Sequence, residues 1–161
     1  MDIKPDNILT NKWNTYVHLL DNDDWSINGY HKLMESNMLN EHMLLSTHFK
    51  GEFMKNTLIF MMRENIQPIW EADENKNGGD FSFKINIKDI ENAWYVLVYK
   101  LCLGKIFHDM SLMKHVTGIS CSPKKNFYVV KIWMNTCKYR DTNIFNLQEI
   151  DISGSRFKNN R

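Results

Sequence analysis

Trp70 is followed directly by Glu71 in the run Ile66-Gln67-Pro68-Ile69-Trp70-Glu71, and shortly afterwards comes Asn75-Lys76-Asn77-Gly78-Gly79. An indole beside a carboxylate can engage one flat, cationic heterocycle in two ways. The ring stacks on its face, a cation–π contact worth roughly 0.5–2 kcal/mol. The acid accepts hydrogen bonds along its edge, where a charge-assisted bidentate pair is stronger and more selective than a neutral one. Four further tryptophans, Trp13, Trp25, Trp94 and Trp133, are candidates to complete such a site. Trp25 follows the acidic turn Asp21-Asn22-Asp23-Asp24, which delivers a large indole to a loop. Trp133 alternates with Lys131, so the two share one face of a strand, an arrangement that suits the rim of a slot. Trp13 and Trp94 read as core.

Other chemistry finds little support. Six histidines (His18, His31, His42, His48, His108, His115) form neither HExxH nor a close ligand cluster, so no metal is expected. Cys102, Cys121 and Cys137 make no CxxC pair, and an odd count argues against a disulfide framework and for a reducing compartment. With no glycine-rich cofactor loop and no convincing acid–base pair, neither an enzyme nor a cofactor is expected. The net charge of +1 excludes a broad basic field for a long nucleic acid, which leaves a short ligand or one gripped by a specific head group. Nothing approaches the 18 consecutive apolar residues of a membrane span.

At 161 residues the chain reads as one domain, 1–161, with 1–12 as an N-terminal arm and 154–161 as a basic C-terminal tail that either closes over the ligand or stays disordered. Strands are expected over Trp13–Leu20, Gly29–Met34, Thr57–Met62 and Phe81–Ile87, the last from its period of two. Asn40 is placed as the cap of a short helix reaching Phe49, with Leu39, Met43 and Leu44 on one stripe. Pro68 keeps its predecessor extended, which puts Trp70 in a loop, and Gly78-Gly79 reads as a turn using positive φ. Ile90, Trp94, Leu97 and Leu101 mark a helix ending near Gly104. Val116–Ser122 and Phe127–Asn135 form a hairpin around Pro123-Lys124-Lys125-Asn126. The class is α+β, a curved antiparallel β-sheet with helices packed on one face.

The ordered set Asn11-Lys12-Trp13, Trp25, Pro68-Ile69-Trp70-Glu71, Asn75-Lys76-Asn77-Gly78-Gly79, Ala93-Trp94 and Ile132-Trp133 resembles the eukaryotic translation initiation factor 4E family, which binds the 7-methylguanosine cap of messenger RNA. The resemblance runs from about Trp13 to Trp133. It implies a cupped sheet with helices on the convex back and the ligand on the concave side. It implies Trp25 and Trp70 as stacking walls, Glu71 on the guanine edge, Trp133 at the methyl group and Lys124 at the phosphates; Lys125, beside it at the hairpin tip, and Lys131 are further phosphate candidates. It also implies a scaffold or repressor helix docking on the convex face near Leu39, Met43, Trp94 and Tyr95. A cytoplasmic monomer that binds capped mRNA and supports translation initiation is expected.

The chain departs from the family pattern in places. Asp80 stands where a basic residue usually follows Gly-Gly, and Val129 falls at another basic position, with Lys131 two residues on. Met43 falls where the docking surface carries a tryptophan. These departures, with the chain's compactness, suggest a viral or protist relative, acting in the host cytoplasm if viral. They also admit a second reading: an interaction protein with weakened cap binding that serves as a decoy or repressor for initiation-factor partners.

Overall fold

The computed structural model describes residues 7–161. Its elements are β1 (Ile8–Leu19), β2 (His31–Met38), α1 (Leu39–Thr47), α2 (Gly51–Lys55), β3 (Thr57–Arg63), β4 (Gly79–Asn86), α3 (Ile90–Cys102), β5 (Val116–Pro123), β6 (Phe127–Met134) and β7 (Arg156–Asn159). All seven strands join one sheet in the order β2-β1-β3-β5-β6-β4-β7, and every neighbouring pair is antiparallel. Register shifts between β1 and β2, and at Val116/Gly118 between β5 and β6, add twist and bend to the sheet.

Alternation along the strands separates the two faces. In β6, Tyr128, Val130, Ile132 and Met134 are buried, while Phe127, Val129, Lys131 and Trp133 stay partly open on the other side. In β4, Phe81, Phe83 and Ile85 are buried. These side chains meet the apolar stripe of α3, where Ile90, Trp94, Leu97 and Leu101 are all buried. Trp13 and Trp94 are each 1% exposed and belong to this main core, as scaffold. A smaller cluster, Phe60, Met62 and Ile66, lies apart from it and is packed by Tyr16, Tyr30, Leu58 and Trp133.

Several expectations are corrected. β1 begins at Ile8, so residues 8–12 of the proposed arm are strand; residues 1–6 lie outside the described residues. Met38, not Asn40, caps α1, without a side-chain hydrogen bond, and Leu44 is exposed. The short helix α2 is too brief for a periodic signal. Gly78 and Gly79 have no positive φ. Their need is close approach: a Cβ on Gly78 would lie 1.8 Å from the Met134 carbonyl oxygen, and one on Gly79 2.3 Å from that of Lys158. Most consequentially, the basic tail contains a strand. β7 pairs with β4 from Gly79↔Asn159 to Ser82↔Arg156, and Phe157 sets its ring edge-on against Phe81 at 4.9 Å.

Candidate functional site

Three segments converge on one cleft. Trp25 comes from the β1–β2 loop, Trp70 and Glu71 from the β3–β4 loop, and Trp133 from β6. With Tyr30, Phe60, Pro68 and Ile69 they line a volume of about 200 Å³. Trp25 is 55% exposed and Trp70 54%, an unusual degree for a residue that normally buries most of its ring. Flat aromatic surface is therefore available to a ligand, with a carboxylate next to it.

Local packing fixes each group. His18 stacks on Trp25, with ring centroids 4.1 Å apart. Its Nδ1 lies 2.9 Å from the Leu19 carbonyl oxygen and its Nε2 2.8 Å from that of Asp24. The loop closes this tightly only because residue 29 is glycine: a Cβ there would fall 1.7 Å from the Asp24 oxygen. Asn75, fully buried, shapes the Trp70 loop by donating to the carbonyls of Gln67 (3.3 Å) and Ile69 (2.8 Å). Trp133 donates from Nε1 to Ser120 Oγ at 2.9 Å and meets Phe60 edge-on. Burial, helped by the charge of Glu71, raises the Tyr30 phenol above its ordinary value.

A second cleft, of about 370 Å³, continues from the first; Trp70 and Trp133 line both. Its polar groups are Asp80, Lys131, Lys158, Asn159 and Asn160. Lys131 donates to Asp80 Oδ2 at 3.3 Å. Asp80 Oδ1 is buried and has no hydrogen-bond partner among the described residues. Burial raises the Asp80 carboxyl above its ordinary value, against the opposing pull of Lys131 and Lys158. Asn160 ties the C-terminal strand to the Trp70 loop: its Nδ2 donates to the Asn75 carbonyl at 2.7 Å and its backbone N–H to that of Gly78 at 3.0 Å. Arg161 donates to the side chain of Asn77.

The structure thus brings Trp25, Trp70, Glu71 and Trp133 together, with Lys131 at the adjoining end. Lys124 and Lys125 stand at the tip of the β5–β6 hairpin and line neither cleft. From Phe127, next to that tip, to Trp133 is six residues of strand, a rise of about 20 Å. Tyr30, Phe60, Lys158 and Asn160 were missed. A tyrosine beyond the Trp25 loop and a basic tail were the available signals, but neither indicates a cross-strand neighbour.

On the helical face, α1 packs against α3. Leu39 and Met43 are partly buried and Tyr95 is 41% exposed. Trp94 corrects the partner set: at 1% exposure it is core and offers a partner no surface. Tyr99, one turn beyond Tyr95 and 44% exposed, is the residue available there. Among the described residues no group of three or more His, Cys, Asp and Glu side chains is placed to hold a metal, and no helix is long and apolar enough to cross a membrane.

The family profile for eukaryotic initiation factor 4E matches residues 8–151. Among curated relatives, the fission yeast Schizosaccharomyces pombe protein "Eukaryotic translation initiation factor 4E-2" is 30% identical over 97 residues, covering 59% of this chain and 36% of that protein. A homologue from Acanthamoeba polyphaga mimivirus is 32% identical over 62 residues, 38% of this chain and 23% of its own. The matched segments therefore span well under half the length of these relatives. Among solved structures, a schistosome eIF4E complexed with m7GpppA and 4E-BP superimposes with a TM-score of 0.72 at 18% identity, covering 82% of this chain and 73% of that one. Ascaris suum eIF4E-3 with m7G cap gives 0.69 at 16% identity, covering 82% and 76%. At those identities the superpositions show the shared fold.

Proposed function

The chain belongs to the eukaryotic initiation factor 4E family, and from that premise we propose that it binds the 7-methylguanosine cap of messenger RNA in the slot between Trp25 and Trp70. The observation that carries this reading is the pair of half-exposed indoles lining one cleft with Glu71. Methylation at N7 makes guanine cationic, so two electron-rich faces favour the methylated base over plain guanine. The adjacent N1–H and N2–H₂ donors of guanine match the two oxygens of the Glu71 carboxylate. Trp133 meets the methyl group. The cap phosphates extend into the second cleft, toward Lys131 and Lys158, where Asp80 opposes them. No bond is made or broken, and the protein acts by binding alone, in the cytoplasm, to recruit capped mRNA for initiation.

The face of α1 and α3 around Leu39, Met43, Tyr95 and Tyr99 takes an amphipathic helix from a scaffold or repressor protein. The schistosome relative in complex with a 4E-BP supports a partner of that kind. Tryptophan-fluorescence titration with a methylated cap dinucleotide, against its unmethylated analogue, tests the cap reading. Preferential quenching by the methylated form is expected, and equal or absent quenching by both overturns it.

A further inference from the structure

We propose that the sheet surface beyond the slot is a track for the RNA that follows the cap. This rests on the cap reading of the slot and extends it along the strands. Directly paired residues on neighbouring strands share a face, so the register sorts that face into rows. The first row is Lys158, Asp80 and Trp133; the next is Arg156, Ser82 and Lys131; the third is Lys84 and Val129. Rows lie two residues apart, a step of about 6.7 Å, comparable with the spacing of phosphates along an extended single strand. A cleft of about 380 Å³ lined by Ser82, Lys84, Val129 and Arg156 continues the line past Lys131.

The charges favour a polyanion. Among the described residues, Lys84, Arg156 and Lys158 take part in no ion pair, and Asp80 is the one carboxylate in the three rows. Lys84 sits over the Phe127 ring at 4.6 Å, a cation–π contact that holds its ammonium at the end of the third row. Past Lys84 the surface turns acidic, with Asp89, Glu149 and Asp151 around the next cleft, which limits the track to a few nucleotides. A net charge of +1 for the whole chain thus coexists with a short cationic path leading away from the slot.

The test compares a cap dinucleotide, an RNA hexamer carrying the same cap, and the uncapped hexamer, each titrated at several salt concentrations. The capped hexamer is expected to bind roughly threefold to tenfold tighter than the dinucleotide, as two exposed charge contacts allow. Its dependence of log affinity on log salt should be steeper by about 1.4, from two single-strand phosphates at about 0.7 each. The double variant Lys84→Gln/Arg156→Gln should keep dinucleotide affinity and lose both the gain and the extra slope. A hexamer no tighter than the dinucleotide, or a double variant that keeps the gain, overturns the track. Failure of the dinucleotide to bind overturns the slot reading instead; the track is then read from the uncapped hexamer, whose weak, salt-sensitive binding must fall in the double variant. Equal competition by an acidic peptide of matched charge overturns the assignment to RNA.

Discussion

His18 lies flat against Trp25, the ring planes 5° from parallel. His18 is fully buried, with each ring nitrogen within hydrogen-bonding distance of a backbone carbonyl and one N–H donating, so it forms a fixed backing plate for an indole that is otherwise half in solvent. His18→Ala should free Trp25, weaken cap affinity about threefold to tenfold (one aromatic contact of roughly 0.5–1.5 kcal/mol) and shift the emission of the unliganded protein. His18→Phe should restore the stack. Gly29→Ala, which drives a methyl into the Asp24 carbonyl, should displace the same loop. Unchanged cap affinity in both His18→Ala and Gly29→Ala would show that the backing does not matter.

Trp70→Ala and Glu71→Ala should each lower cap affinity at least tenfold, since base stacking and a hydrogen bond to a charged group each contribute roughly 1–3 kcal/mol. Glu71→Gln separates charge from shape. The amide turns one acceptor into a donor facing the guanine N–H groups, so it should bind little better than the alanine. Isothermal titration with one cap analogue across the three variants reads this directly.

Asp80 gives the site a pH dependence. Burial raises its carboxyl above the ordinary value, so the folded chain holds the Asp80 proton more tightly than the unfolded chain does. Its stabilising contribution is complete below the unfolded value near 3.8 and is lost as pH rises through the raised one. Asp80→Asn should therefore stabilise the protein at neutral pH, seen as a higher melting temperature. The same variant removes a negative charge from the phosphate end and should tighten binding of a triphosphate cap about threefold to tenfold, from one repulsion of order 1 kcal/mol. In the wild type that affinity should rise as pH falls toward the raised titration of Asp80, and the variant should lack this rise. A variant that binds triphosphate cap more weakly would mean that the Asp80–Lys131 pair holds Lys131 in place.

Asn75 couples the C-terminal strand to the Trp70 loop through Asn160. Asn75→Ala removes the donor from the Gln67 and Ile69 carbonyls, two partly buried hydrogen bonds worth about 0.5–1.5 kcal/mol each. Cap affinity should fall together with stability. Asn160→Ala removes one link and should show a smaller effect of the same kind, read by hydrogen exchange in residues 66–79.

Tyr95→Ala and Tyr99→Ala should weaken a scaffold-derived helical peptide while leaving cap affinity unchanged, because both side chains lie on the helical face. Met43→Ala should do the same to a smaller degree, its side chain being partly buried already. A peptide pull-down followed by cap titration on the same samples distinguishes the two surfaces.

The walls of the slot were legible because their signals are local. Pro68 sets the extended entry to Trp70-Glu71, the acidic turn ahead of Trp25 marks a loop, and the alternation along β6 puts Trp133 and Lys131 on one face. The same periodicity gave α3 and placed Trp94 in the core, so Trp94 read as a partner contact conflicted with a signal already present in the sequence. The cationic end of the cleft was not legible. Lys124 was named from the family resemblance, while Lys158, near the chain's end, turns out to lie opposite Asp80 across β4 and β7.

The sequence by itself determined the α+β class, the loop placement of Trp25 and Trp70 and the acid beside Trp70, since each is encoded within a few residues as a period, a turn or a dipeptide. Only the tertiary structure decided which cations line the adjoining cleft. That depends on strand order and register, and here on Phe157 packing against Phe81. Packing of the partly buried Phe157 on the buried Phe81 anchors the basic strand to the sheet edge and turns Arg156 and Lys158 toward the slot face. A contact between residues so far apart leaves no periodic trace in either segment.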